Sequence, residues 1–283
     1  MKVDRYRKGE ISQGDLTGSV RGHYEAKRND RNLELSAGSG LVHHHFGIGE
    51  LPGSIESIQG FEIQDVLSQL ESNQTDILID AMGGVKSSDL VLDAGCGRGG
   101  TSFMIAEQTG ASVRGITISP YQAGFAARVA QDKFPNLKTS FSVMNMLNTA
   151  LSDQSLDHIV TNETTMYFLD LEALFAEFSR ILKSQGRYTL ATWFVDDGVV
   201  RNLALEDKIN SHYQSIMNTK SEYFTALEMS GFKILGMKDL SKSAVPYWLL
   251  RKKWKDSSGI EDAYIEGYQN GNINYIMIQA VKG

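Results

Sequence analysis

The chain has 283 residues, 41% hydrophobic and 22% charged, with a formal net charge of −6. That length allows one large α/β domain with additions or two small domains, and the acidic balance argues against nucleic acid as the main partner. A single cysteine, Cys96, excludes an internal disulfide and gives no cysteine metal cluster, and no apolar run approaches the roughly 20 residues of a membrane span.

The first eight residues are polar, so no secretory leader is read there, and a cytoplasmic protein is the default expectation. Residues 1–31 are charge-rich and read as an arm or lid. Residues 32–60 contain Leu41-Val42-His43-His44-His45-Phe46-Gly47-Ile48-Gly49 and read as loop. Residues 1–62 are therefore expected to form an N-terminal arm and lid, followed by a larger domain over 63–283. From Gln64 to Met82, apolar residues at Val66, Leu67, Leu70, Ile77, Leu78 and Ala81 predict an amphipathic helix. Alternation then follows: strand 90–93, helix 100–109, strand 111–117, helix 119–133, strands 138–143 and 156–161, helix 170–183, strand 186–194. Helix 170–183 is the clearest, with Leu171, Leu174, Phe175, Phe178, Ile181 and Leu182 on one face. Such alternation predicts a mostly parallel sheet. Residues 197–230 read as two inserted helices. Strands near 232–239 and 273–280, with helix 259–269 between them, close the domain.

The segment Leu92-Asp93-Ala94-Gly95-Cys96-Gly97-Arg98-Gly99-Gly100 links the first strand to its helix. Strand, glycine-rich turn and helix present a nucleotide-like cofactor at the carboxyl edge of a sheet. The spacing D-x-G-x-G-x-G differs from the dinucleotide fingerprint, whose acid comes about 20 residues later. An acid within the turn suits S-adenosyl-L-methionine, whose amino group is cationic. Asp93, Gly95 and Gly97 are thus candidate cofactor residues. The second strand ends without an acid for the ribose, and Thr117 and Gln122 are the polar substitutes. Ser119-Pro120 reads equally well as a plain helix start. After the third strand, Asn145 could bond an adenine edge beside Met146, or simply make a turn.

After the fourth strand comes Asn162-Glu163-Thr164-Thr165-Met166-Tyr167. A carboxylate in this apolar, aromatic setting suits a general base or the partner of a nearby cation. Glu163 and Tyr167 are candidate catalytic residues and Asn162 a cofactor residue. In an extended chain, His43 and His45 share a side. His45 is a third catalytic candidate, and His43 and His44 could bond an anionic substrate. Aromatics outside the expected core include Phe46, Trp193, Tyr213, Tyr247, Trp248 and Trp254. Such faces hold cations and hydrocarbon chains, although core packing explains most aromatics.

These segments, with Pro246-Tyr247-Trp248 and Gly259-Ile260-Glu261, together resemble the bacterial prenyl diphosphate C-methyltransferases, whose best-known members are the geranyl diphosphate 2-C-methyltransferases. The match runs from about Asn32 to the end of the chain. The resemblance implies an α/β fold of the class I S-adenosylmethionine-dependent methyltransferases, Rossmann-like, with a seven-stranded sheet, a lid and a helical insertion. It also implies methyl transfer to an alkene carbon of a prenyl diphosphate in terpene biosynthesis. Val42, Tyr213, Ile216, Asn218 and Glu34 depart from the geranyl enzymes. With Val42, His43, His44, Phe46, Trp193, Tyr213, Tyr247, Trp248 and Arg251 as substrate residues, these changes predict a longer substrate, farnesyl diphosphate, as in the sodorifen-type enzymes, where cyclisation can follow. Arg201, Arg251 and Lys252 are candidates for the diphosphate, with Mg2+ as a candidate bridge through unidentified ligands. Geranyl diphosphate 2-C-methylation, a sterol or small-molecule methyltransferase, and a non-catalytic cofactor-binding subunit are the alternatives. The sequence leaves a homo-oligomer open.

Overall fold

The computed structural model describes residues 12–28, 30–36, 39–255 and 257–283; the first part of the expected arm, residues 1–11, lies outside them. Helices α1 (Gln13–Ala26), α2 (Arg31–Leu35) and α3 (Phe61–Met82) come first. The domain then runs β1 (Leu90–Ala94), α4 (Gly100–Thr109), β2 (Ser112–Thr117), α5 (Pro120–Lys133), β3 (Thr139–Val143), β4 (Leu156–Asn162), α6 (Leu171–Ile181) and β5 (Leu182–Phe194). It finishes with α7 (Leu203–Tyr213), α8 (Lys220–Met229), β6 (Phe232–Asp239), α9 (Ser241–Lys253), α10 (Glu261–Asn270) and β7 (Asn274–Lys282). The seven strands form one sheet, β3-β2-β1-β4-β5-β7-β6. Pairing is parallel from β3 to β5, and β7 runs antiparallel to both its neighbours.

The order of strands reverses at β1, between β2 and β4, so the crevice at their carboxyl ends is where this topology places a ligand. β1 is buried along Val91, Leu92, Asp93 and Ala94, as a strand covered on both faces must be. Helix α6 buries Leu171, Leu174, Phe175, Phe178 and Ile181 and is capped by Asp170, which accepts from the Ala173 N–H. Ser119 caps α5 and Pro120 occupies its first turn, so the plain helix start is present.

Four elements depart from the expected pattern, the first being α2, a short helix capped by Asp30 that opens the stretch read as loop. The arm contains α1, which starts with a reciprocal Ser12–Asp15 capping box and buries Leu16 and Val20. Burying each of those side chains contributes about 1.5–3 kcal/mol. Helix α9 covers 241–253, where Pro246 and the absence of an apolar stripe hid it; its buried residues share one half of the helix, but that half mixes polar Ser241 and Arg251 with Ala244, Trp248 and Leu250. The strand expected at 186–194 begins at Leu182, directly after α6.

Candidate functional site

The glycine turn after β1 opens a cleft lined by Gly95, Gly97, Thr117, Ile118, Gln122, Asn145, Met146, Asn162, Thr164 and Phe168. These residues sit at or just beyond the carboxyl ends of β1, β2, β3 and β4. Gly95 has φ +88°, and a Cβ there would collide with the Thr164 side chain, so the turn requires glycine. Thr117 Oγ1 donates to Gln122 Oε1 at 2.8 Å. Asn145 Oδ1 accepts from the Leu147 N–H at 3.0 Å, the expected turn, while the residue also lines the cleft. Asn162 forms a reciprocal amide pair with Gln74, 2.9 Å each way.

Asp93 does not line the main cleft. It is 1% exposed, accepts from Ser102 Oγ at 2.5 Å, and borders a small annex shared with Gly95, Gly97, Thr101 and Asn162. Burial pushes its carboxyl up to about 6, against the hydrogen bond from Ser102.

A second cavity, about 250 Å³, adjoins the cleft. Phe46, Trp193, Tyr213 and Tyr247 give it apolar walls, and Lys27, Arg31 and Arg251 supply cations. Phe46 and Trp193 stack with centroids 5.2 Å apart at 14°. Gly47 makes this wall possible, because a Cβ there would come within 2.7 Å of both Tyr247 and Leu70. Tyr24, His44, Glu163 and Tyr167 border both cavities. A group passing between the two spaces must pass these four side chains.

Glu163 is 6% exposed, with φ 54°. The Phe46 N–H (2.8 Å) and the Tyr275 hydroxyl (2.7 Å) both donate to its Oε1, and neither engages Oε2. Burial pushes its carboxyl from 4.5 up to about 8 despite those bonds, and the Glu71 charge adds to the rise. Tyr167 and Tyr24 share a hydroxyl–hydroxyl hydrogen bond of 2.7 Å. The histidines are driven toward neutrality by burial, His44 to about 3 and His23 and His45 to about 4. His45 Nδ1 lies 3.2 Å from the Phe46 carbonyl, which only accepts, so Nδ1 carries the proton. Its Nε2 is within 2.9 Å of both His43 Nδ1 and Thr75 Oγ1.

Several expected roles need correction. Both nitrogens of His45 are engaged, so it braces the loop and is a poor base. Val42 and His43 border the annex beside Asp93 and are absent from the lining of the aromatic cavity, whereas His44 and His45 border both. Trp248 is fully buried behind the wall, stacked on Tyr264 at 4.2 Å and 2°. Ile216 is buried in the core, and Asn218 and Glu34 are absent from the cavity lining. Arg201 pairs with Glu206, and Lys252 with Asp262 at 2.6 Å, both away from the cavity; Arg251 is the one of the three that lines it.

The sequence reading missed the arm's contribution. Tyr24 and Lys27 follow from α1, whose Leu16, Val20 and Tyr24 recur every four residues after the Ser12–Asp15 capping pair. It also missed the polar face of α3. Glu71, Gln74 and Thr75 are buried on that helix and reach Tyr247, Asn162 and His45 respectively. Polar residues flanked by Leu67, Leu70 and Leu78 on one helical face were the available signal.

Fold and cleft together define a class I S-adenosylmethionine-dependent methyltransferase. A family model described as a methyltransferase domain matches residues 92–190. Geranyl diphosphate 2-C-methyltransferase of Saccharopolyspora erythraea is 38% identical over 267 residues, covering 93% of each chain. The solved structure of a geranyl diphosphate methyltransferase in complex with GPP and sinefungin superposes with a TM-score of 0.89 at 31% identity, covering 95% of this chain and all of that one. The Streptomyces coelicolor A3(2) enzyme in complex with Mg2+, geranyl-S-thiolodiphosphate and S-adenosyl-L-homocysteine gives the same score and identity, covering 95% and 98%. The chain belongs to the geranyl diphosphate C-methyltransferase family. Among the described residues, no helix is long and apolar enough to cross a membrane.

Proposed function

We propose that this protein transfers a methyl group from S-adenosylmethionine to an alkene carbon of geranyl diphosphate. The observation that carries this reading is the buried carboxylate of Glu163 where a glycine-cradled cleft meets an aromatic cavity with cations on its wall. The cleft fits an adenosyl cofactor: glycine is required at its floor, and apolar Ile118 and Met146 stand beside polar Thr117, Gln122 and Asn145. When bound, that cofactor supplies an electrophilic methyl group. The cavity walls hold the alkene in line, which a weak nucleophile requires. Phe46, Trp193 and Tyr213 offer π faces to the cation left on the neighbouring carbon. Glu163 takes the proton that this cation loses. Lys27, Arg31 and Arg251 meet the diphosphate, which would be too costly to bury unpaired.

Mg2+ usually takes one or two carboxylates together with substrate phosphates. Asp30 lines the cavity, and its Oδ2 is buried without a partner, so Asp30 is the residue that would meet such an ion. The product keeps its diphosphate and can therefore serve a terpene-forming step.

The expectation of farnesyl diphosphate rested on Val42, Tyr213, Ile216, Asn218 and Glu34. Only Tyr213 lines the cavity, and the relatives named above carry geranyl diphosphate in their names. The test is incubation with methyl-labelled S-adenosylmethionine and either geranyl or farnesyl diphosphate, followed by phosphatase treatment. Label should appear in a methylated geraniol, with kcat/KM favouring the geranyl compound. A ratio favouring farnesyl would overturn the chain length, and no label in any prenyl alcohol would overturn the reaction.

A further inference from the structure

Glu71 lies in the middle of α3, is 1% exposed, and lines neither the cleft nor the cavity. A carboxylate at that depth is costly unless its partners compensate. Its partners form a chain that ends in the cavity. The Tyr247 hydroxyl donates to Glu71 Oε1 at 2.8 Å. Arg251 Nη1 donates to the same hydroxyl at 2.9 Å and lies 4.0 Å from that carboxylate oxygen. Tyr247 and Arg251 are four residues apart on α9, hence on one face. The guanidinium also packs over two rings, 5.8 Å from the centroids of Tyr247 and Trp254.

The chemistry of each link is directional. A phenol has one proton to give. Tyr247 gives it to Glu71, and its oxygen is therefore free to accept from Arg251. Without an acceptor at position 71 the phenol proton loses its fixed direction, and the Arg251 bond loses its anchor. Of the three cations on the cavity wall, Lys27 and Arg31 come from the arm, whereas Arg251 is tied through this chain to α3 and the body of the domain.

We propose that Glu71 is a positioning residue for the diphosphate: through Tyr247 it fixes the Arg251 guanidinium at the anionic end of the substrate. The inference rests on the assignment of the cavity to a prenyl diphosphate. Arg251 is the group that touches the anion, and Glu71 acts at one remove. Because the chain does not enter the cofactor cleft, its loss should change anion binding and leave cofactor binding intact.

The experiment measures inorganic pyrophosphate binding to the full chain by calorimetry in Mg2+ buffer, beside steady-state kinetics with geranyl diphosphate. Glu71→Leu should weaken pyrophosphate about tenfold, the size expected for a hydrogen bond to a charged group. KM for geranyl diphosphate should rise by a similar factor, with kcat within a few-fold and S-adenosylhomocysteine affinity unchanged. Glu71→Gln keeps an acceptor for the phenol and should recover part of the loss. In an Arg251→Ala background, removing Glu71 should add nothing. Tyr247→Phe cuts the same chain at its next link while keeping the ring, and serves if Glu71→Leu does not fold. Parent-like pyrophosphate affinity in both Glu71→Leu and Tyr247→Phe, or an equal further loss in the Arg251→Ala background, overturns the proposal. If the parent binds pyrophosphate in this pattern but methylates no prenyl diphosphate, the reaction assignment falls and the positioning role stands. If the parent binds no pyrophosphate, the cavity's assignment falls and the positioning role falls with it.

Discussion

The cofactor cleft and the aromatic cavity share four residues but are built by opposite means. Between Gly95 and Phe168 the cleft takes its lining from the segments around successive strand ends, and among the described residues only Thr17, Val20, Tyr24 and His44 come from elsewhere. The cavity draws on the arm, the histidine loop, β4 and β5, α7, α9 and the loop before α10, a span from His23 to Ser258. A site made from one repeated strand–turn unit is fixed once the sheet forms. A site made from many separate elements depends on how each of them docks. The first tolerates sequence change in distant elements, whereas the second places its chemistry in their packing.

Mutations separate the two regions. The largest effect is expected at the junction. Glu163→Gln keeps the side chain's shape but removes its charge and basicity, so turnover should fall by about 10²–10⁴. S-adenosylhomocysteine and pyrophosphate affinities, measured by calorimetry, should stay near the parent's. Equal loss of both would make Glu163 a structural joint between the regions. The pH dependence follows from the carboxyl at about 8. The base works ionised, so kcat should climb as pH rises through about 8, and Glu163→Gln should lack that limb. For stability the sign is reversed. Below 4.5 both folded and unfolded states hold the proton; between 4.5 and about 8 only the folded state does. Deprotonation of the unfolded chain therefore erodes the parent's stability across that window. The Tm of Glu163→Gln should gain on the parent's as pH rises through the same window.

Gly95→Val breaks the local region alone. It places a side chain at positive φ against Thr164, a strain of about 1–3 kcal/mol. S-adenosylhomocysteine should bind about 10–10²-fold more weakly, while pyrophosphate binding stays within a few-fold. Loss of both in a folded variant would show that the regions are not separable. The smallest effect belongs to the arm. Tyr24→Phe removes the hydrogen bond to Tyr167 and keeps the ring. A net hydrogen bond of about 0.5–1.5 kcal/mol corresponds to a loss of roughly two- to tenfold in kcat/KM. An unchanged kcat/KM would place this contact outside the working site.

The sequence by itself determined the local region. The glycine turn, the strand–helix alternation and the polar residues at strand ends are short-range features. Gly95, Gly97, Thr117, Gln122, Asn145, Met146 and Asn162 could therefore all be assigned to the cleft that they line. The resemblance of a few motifs carried the family. Glu163 was legible for the same reason, since it follows β4 directly. Tertiary structure decided the rest. It turned Val42 and His43 toward the annex, put Trp248 behind the wall, and engaged both nitrogens of His45. It brought Lys27 and Arg31 from the arm to stand beside Arg251, and it joined Glu71 to that arginine across 180 residues of chain. Helix α9 stayed hidden because its buried half mixes polar Ser241 and Arg251 with apolar side chains, which leaves no apolar stripe to read. Backbone turns obey rules a few residues long. Which face of a loop or helix meets a cavity is set by packing against distant segments, and one sequence read along its length does not record that packing.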